Sequence, residues 1–329
     1  MTTANEHSCD VGIVGAGPVG LAAAIAVRRA GLAGRVWDRG CLAASVAAYP
    51  TNMIFFTSNE LLEIGDHPLV TGGPKASRRE AMDYYRKVSE REGLHVETYT
   101  EVTGIARDGR GFAVTTAGAG GAATTRCGAV IVATGYYANP NVLGVPGEEL
   151  PHVNHYFAEP HALWRRRVVI VGGGNSAVEA ALELYRVASS VTMLVRGTSL
   201  RPTVKYWIRP DIENRIREGS VTAEYGAGVT AVTPEAVRYR RGDRELEVPA
   251  DHVLLCTGYH ADPALVRGTG AEVRPDGSVV LDPETFESTV PGLFVIGSAG
   301  FGPRTGEVFI ENGRLHAAAA VEAIRHRLS

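Results

Sequence analysis

Two glycine-rich turns carry the first chemical signal in this chain: Gly15-Ala-Gly17-Pro18-Val19-Gly20 and Gly172-Gly-Gly174-Asn175-Ser176-Ala177. In a turn of this spacing the first glycine makes the tight bend and the second lets the backbone approach a pyrophosphate. The third position lets the following helix pack close to its strand. Ala177 fills that third position in the second copy, which the pattern allows. The helix that starts inside each turn offers unpaired N–H groups and a positive dipole end to phosphate.

A second pair of residues separates the two turns by ligand. Asp38 lies 23 residues after Gly15, where a carboxylate accepts hydrogen bonds from both ribose hydroxyls of a dinucleotide. Arg196 lies 24 residues after Gly172, and Arg201 and Lys205 follow it closely. A guanidinium there pairs with a 2′-phosphate, so the second turn reads as an NADPH site rather than an NADH site.

These residues need strand-turn-helix scaffolds, and the sequence supplies two. Asp10–Val14 and Arg167–Val171 are apolar strands, and the runs 21–29 and 178–187 are amphipathic helices. Further strands at 35–37 and 191–195 close a βαβ unit in each half. Buried strands at 129–133 and 253–256 run into Thr134-Gly135 and Thr257-Gly258, and another, within 292–297, ends at Gly297. Phe309–Gly313 leads into a final Ala-rich helix, with Glu311 and Asn312 at its start. The expected fold class is α/β, with two Rossmann-like dinucleotide-binding domains, the second inserted in the first. Residues 1–155 and 260–329 form one, and 156–259 the other. Gly118–Ala123 reads as a short hairpin tip or a loop, with no implied chemistry.

Composition bounds the function classes. The chain has 329 residues, enough for about two domains, and a formal net charge of −3, which argues against nucleic acid or an anionic membrane as partner. Glycine, at 39 residues, is well above the usual ~7%. No apolar run approaches the roughly 20 residues of a membrane span, and no signal-peptide core follows the polar start, so a cytoplasmic protein is expected. Cys9, Cys41, Cys127 and Cys256 form no C-x-x-C pair and no zinc spacing, which excludes a local redox dithiol and a zinc site. Cys127 and Cys256 read as buried strand residues. His152, His155 and His161 cluster loosely near the expected domain junction without metal spacing.

Together these features resemble the thioredoxin-reductase type of two-dinucleotide flavoprotein disulfide reductases, and within them the YpdA family of bacillithiol disulfide reductases. The matching stretches include Tyr49-Pro-Thr51, Phe55-Phe56, Ile64-Gly-Asp66, Ala133–Tyr137, His155-Tyr-Phe157, Trp207-Ile208 and Phe309–Gly313, besides the second glycine turn. The resemblance implies FAD in the outer domain and NADPH in the inserted one, with hydride passing from nicotinamide to the flavin N5. A small disulfide or related small-molecule oxidant then takes the electrons. Gly15, Gly17, Gly20 and Asp38 match the FAD pattern, and Gly172, Gly174, Ser176 and Arg196 the NADPH pattern. Glu179 stands where the wider family carries an acidic residue near the nicotinamide. Tyr49, Phe55, Phe56, Tyr136 and Tyr137 are candidate walls for the flavin ring.

Two departures stand out. The YpdA family carries a cysteine just before the third glycine, where this chain has Val19, and valine cannot form a thiolate. Ser298 follows Gly297 where many related flavoenzymes have an aspartate. The missing thiol leaves other readings open: a flavin monooxygenase oxidising nitrogen or sulfur, a ferredoxin or flavodoxin reductase, or a non-catalytic flavin and NADPH sensor. The resemblance admits a homo-oligomer, and no residue pattern specifies one.

Overall fold

The computed structural model describes residues 7–329. In chain order its strands begin with His7–Val14 (β1), Gly34–Trp37 (β2), Val96–Glu97 (β3), Glu101–Asp108 (β4), Gly111–Gly118 (β5) and Gly121–Val132 (β6). Val153–Asn154 (β7), Arg167–Val171 (β8), Ser190–Val195 (β9), Thr222–Tyr225 (β10), Gly228–Val232 (β11), Ala236–Arg241 (β12), Arg244–Pro249 (β13), His252–Leu255 (β14) and Leu293–Val295 (β15) follow. The helices are Pro18–Arg29 (α1), Ala44–Ala47 (α2), Arg78–Arg91 (α3), Asn175–Leu184 (α4), Arg209–Arg217 (α5), Ala264–Arg267 (α6), Ile310–Gly313 (α7) and His316–Leu328 (α8).

The chain divides into two compact units. One takes in the residues through Ala48, Met53–Asn139 and Tyr259–Ser329, and the other Tyr49–Asn52 and Pro140–Gly258. Residues 140–155 therefore group with the second unit, where β7 pairs with β14. Tyr49 and Thr51 group there too, and the Thr51 N–H donates to the Ala158 carbonyl at 2.8 Å.

In the first unit, β3, β2, β1 and β6 run parallel, with β15 also parallel to the C-terminal end of β6. The N-terminal half of β6 instead pairs antiparallel with β5, which pairs with β4. Gly118 faces Gly121 across the tip of the β5–β6 hairpin, which decides between the hairpin tip and the loop left open there. Val11 and Ile13 on β1 and Val130 and Ile131 on β6 are fully buried, as a parallel sheet covered on both faces requires. Each such side chain contributes about 1.5–3 kcal/mol on burial. Helix α1 buries Leu21, Ala22, Ala23, Ala24 and Ile25, and α8 packs against it. The α3 helix starts with a capping box in which the Ser77 hydroxyl accepts from the Glu80 N–H and the Glu80 carboxylate accepts from the Ser77 N–H, which satisfies two donors of the first turn.

The second unit repeats the plan on a smaller scale. Strands β10, β9, β8, β14 and β7 form a parallel sheet. Between β10 and β14 the chain inserts an antiparallel sheet, β11–β12–β13. Met193, Ile170, Leu184 and Val178 fill the core on one side of the parallel sheet. Val237, Tyr239 and Val253 belong to a separate cluster that includes the small sheet.

Candidate functional site

The first glycine turn is built by close approach. Gly15 has φ +107°, and a Cβ there would lie 2.6 Å from the Ala133 carbonyl oxygen. At Gly20 a Cβ would lie 1.9 Å from the Gly15 carbonyl oxygen, so α1 can sit against the turn only without a side chain. Gly17 differs: its φ is −75° and a Cβ would meet no protein atom within 4 Å. Nothing inside the protein demands glycine at that position. What a Cβ would obstruct is a group arriving from outside, and a pyrophosphate lying on the start of α1 is such a group. The helix has no side-chain N-cap and no acidic residue in its first turn, so no side chain of its own first turn competes for its free N–H groups and positive end. Pro18, at the first helical position, gives up an N–H that would be unpaired there anyway.

Asp38 binds this turn to its strand end. Its Oδ2 accepts from the Ala16 N–H at 2.7 Å, and its Oδ1 from the Gly40 N–H at 2.8 Å. Each carboxylate oxygen retains a lone pair, so the same residue can shape the turn and accept a ribose hydroxyl. The strand ends gather beside it: Gly135 (φ +68°) follows β6 and Gly297 (φ +62°) follows β15. A Cβ on Gly135 would sit 3.9 Å from Ser298 Oγ. Thr134 is exposed at the same rim.

Val19 faces this rim. A Cβ on Gly297 would lie 3.1 Å from a Val19 methyl, and one on Gly313 would lie 3.3 Å from the other. The position of the family cysteine thus holds two methyl groups packed among the loop after β15 and the end of α7. Asn312, expected at the start of the last helical segment, uses its side chain on its own turn, Oδ1 accepting from the Phe309 N–H at 2.8 Å and Nδ2 donating to the Glu307 carbonyl at 2.9 Å. Burial, with a further push from the Glu311 charge, raises the Tyr136 phenol above its usual range, which places Glu311 near that ring. Tyr137 lies 4.7 Å from Tyr259, centroid to centroid, and Phe56 meets Phe309 edge-on at 5.8 Å.

The second turn has the same construction. Gly172 has φ +136° and a Cβ there would fall 2.4 Å from the Cys256 carbonyl oxygen. Gly174 stands at the N-cap of α4, again without a side-chain cap or a first-turn acid. A Cβ on Gly174 would touch only the Arg201 side chain, at 3.7 Å. Asn175 joins the helix start to the next loop: its Oδ1 accepts from the Lys205 N–H at 2.9 Å and its Nδ2 donates to the Thr203 carbonyl at 3.1 Å. Lys205 Nζ donates to Glu179 at 2.6 Å. Lys205 is therefore held by the α4 carboxylate, whereas Arg196 and Arg201 are exposed and form no ion pair among the described residues. Ser176 is exposed in the first turn of α4. The Thr257 hydroxyl donates to the Asn141 carbonyl, and the carbonyl of Gly258 (φ +92°) accepts from the Asn141 N–H at 2.9 Å.

Cys256, expected as a buried strand residue, lies one residue past β14 and is partly exposed as a whole; burial of its thiol still pushes it up to about 12, which leaves it a poor nucleophile. Cys41 is partly exposed. Spacing excluded a local dithiol, but the parallel register of β1 and β6 brings Cys9 and Cys127 together, with Sγ atoms 3.4 Å apart. No sequence signal shows such a pair, because 118 residues separate its members. His152 Nε2 contacts the Thr233 carbonyl at 3.1 Å, and His155 lies 3.5 Å from Glu148. Among the described residues no group of three side chains could hold a metal ion, and no helix is long and apolar enough to cross a membrane.

Comparison with known proteins agrees with this geometry over nearly the full length. Residues 12–297 match the family described as pyridine nucleotide-disulphide oxidoreductase. The chain is 39% identical over 306 residues to bacilliredoxin reductase Bdr of Bacillus subtilis, covering 92% of this chain and 94% of that protein. The solved structure of bacillithiol disulfide reductase Bdr (YpdA) from Bacillus cereus superimposes with a TM-score of 0.95 at 37% identity, covering 98% of this chain and all of that one. The Staphylococcus aureus counterpart gives 0.93 at 32% identity, again over 98% of this chain and all of that one. Two matched glycine cradles in one α/β framework, and a match that runs through both, make this chain a member of the pyridine nucleotide-disulphide oxidoreductase family.

Proposed function

We propose that this protein is an NADPH-dependent FAD oxidoreductase that passes electrons to a small disulfide. The observation that carries the reading is the pair of glycine cradles, each with a left-handed first glycine and an uncapped helix start free of acid. In the first unit Gly15, Gly17, Pro18, Val19 and Gly20 would receive the FAD pyrophosphate and Asp38 its ribose. Thr134, Gly135 and Gly297 would line the same cofactor. In the second unit Gly172, Gly174, Asn175 and Ser176 would receive the NADPH pyrophosphate.

Arg196 and Arg201, unpaired and exposed, supply the positive charge that a 2′-phosphate needs. Lys205 is partly neutralised by Glu179, so its contribution to that phosphate is smaller. When bound, the two cofactors supply the hydride transfer that the protein side chains cannot perform. The chain's share is to hold both phosphate groups and to shape the flavin edge. With Val19 at the cysteine position, no thiol on that turn can form a mixed disulfide with the substrate. The related proteins are named bacilliredoxin reductase and bacillithiol disulfide reductase, and the second of these names supports a low-molecular-weight disulfide as the substrate class. A cytoplasmic setting, where thiols are kept reduced, suits that reaction.

The test is anaerobic stopped-flow spectroscopy. NADPH should bleach the flavin absorbance, and bacillithiol disulfide or another small disulfide should restore it faster than quinones, ferredoxin or oxygen. A flavin that NADPH leaves oxidised would overturn the reading. A long-lived peroxyflavin absorbance after oxygen mixing would favour a monooxygenase.

A further inference from the structure

Cys9 and Cys127 occupy partner positions on β1 and β6, the two central strands of the first unit. Neighbouring strands lie about 4.8 Å apart, within the roughly 4.4–6.8 Å that a disulfide spans between Cα atoms. The Sγ atoms already lie 3.4 Å apart, and both residues belong to one apolar cluster, Cys127 buried inside it and Cys9 packed at its partly exposed edge. Closing the bond therefore needs only side-chain rotation, with no movement of strands.

From this juxtaposition we propose that Cys9 and Cys127 form a redox-active dithiol that small disulfides oxidise to an intramolecular disulfide. Their chemical roles differ. The Cys127 thiol beside it and the positive charge of Arg35 hold the Cys9 thiol below its usual range, and Cys9 has the solvent access an attacking thiolate needs. The same hydrogen bond, together with burial, pushes Cys127 up, so it stays protonated until Cys9 has reacted. Cys9 attacks the small disulfide RSSR, forming a protein–SR mixed disulfide and releasing RS⁻. Cys127 then gives up its proton and displaces the second RS⁻. The protein loses two electrons and two protons, and RSSR becomes two RSH. The pair lies at the start of β1, whereas the glycine turn lies at its end, so this site is separate from the cofactor cradle and does not rest on the proposed NADPH chemistry.

The experiment uses the full-length protein carrying its flavin, with Cys41→Ser to remove one partly exposed thiol; Cys256, also partly exposed, is kept because burial pushes its thiol up to about 12. The reduced protein is incubated with oxidised glutathione, denatured, alkylated and digested for mass spectrometry. Two of the three remaining thiols should be lost, and a peptide joining Cys9 to Cys127 should appear. Adding Cys127→Ala should trap glutathione on Cys9. Because that change empties a core position, Cys9→Ser serves as the independent variant and should leave Cys127 free and alkylated. Recovery of Cys9 and Cys127 as separately alkylated peptides would overturn the proposal, as would a stable glutathione adduct on Cys9 while Cys127 is intact. Neither readout depends on NADPH oxidation.

Discussion

Nδ1 of His316 accepts the backbone N–H of Gly297 at 3.2 Å, so the side chain that opens α8 fixes the left-handed turn at the end of β15. The imidazole is stacked on Phe286 at 3.8 Å and 10°, which holds the ring in the plane that this bond requires. Only a neutral ring can accept at Nδ1, and burial lowers the His316 pKa below its usual range.

His316→Phe keeps a ring beside Phe286 but leaves the Gly297 N–H without its acceptor, a loss of about 1–2 kcal/mol. The pH dependence has a defined sign. Because the folded-state pKa is lowered, the unfolded chain binds more protons between that value and about 6.5, and stability falls as pH drops through this window. Urea melts of wild type and His316→Phe across pH 8 to 5 should converge as pH falls. A gap of constant size would show that the ring's protonation does not matter.

The second and third glycines of the first turn make opposite demands. Gly20→Ala places a methyl 1.9 Å from the Gly15 carbonyl oxygen, and the protein should lose both stability and flavin. Gly17→Ala meets no protein atom and replaces a favourable N-cap residue with a poor one, so it should cost about 1 kcal/mol. It should nevertheless lower flavin retention sharply, because the methyl would occupy the space of the phosphate. Apoprotein melting and FAD titration measure the two effects separately. If Gly17→Ala binds FAD as wild type does, the turn does not hold a pyrophosphate closely.

Arg196→Glu tests the nucleotide. Removing a charge-assisted contact to a 2′-phosphate costs about 1.5–3 kcal/mol, equivalent to a rise of about 10- to 150-fold in KM for NADPH. The KM for NADH, which lacks that phosphate, should change little. Steady-state kinetics with both nucleotides decides the matter. Equal increases for the two would show that Arg196 does not recognise the phosphate.

Both cradles were legible because their glycines have local causes: a left-handed bend and a helix packed on its own preceding strand. The α/β class followed from the same two segments. The small sheet β11–β12–β13 was less visible. Arg238 pairs with Glu247 and Arg240 with Glu245 across its exposed face, and these charges alternate with buried Val237 and Tyr239, a period-two signal that could have announced the strand. Asp38 was assigned a ribose, but its two bonds to the turn's own N–H groups could not be read, since they depend on where residues 16 and 40 fold back. The Cys9–Cys127 pair arises wholly from parallel register, which no spacing rule encodes. Grouping of residues 140–155 with the second unit likewise depends on β7 joining β14, a pairing of only two residues that carries almost no sequence signal.

An ion pair clamps the beginning of the second unit's sheet. Asp251, just before β14, accepts from the Arg167 backbone N–H at 2.8 Å and from its guanidinium at 2.6 Å. The Arg167 hydrogen bonds lower the Asp251 carboxyl to about 2. With the folded-state value below the unfolded one, this pair's contribution is fully present above about pH 4 and disappears as pH falls toward 2. Arg167 is partly solvated, its side chain 44% exposed, so Asp251→Asn should cost about 1–2 kcal/mol at pH 7, less than a buried pair would. Urea melts at pH 7, 5 and 3 should show the variant's deficit unchanged between the first two and smaller at the third. A deficit that persists undiminished at pH 3 would assign the effect to hydrogen-bond geometry rather than to the carboxylate's charge.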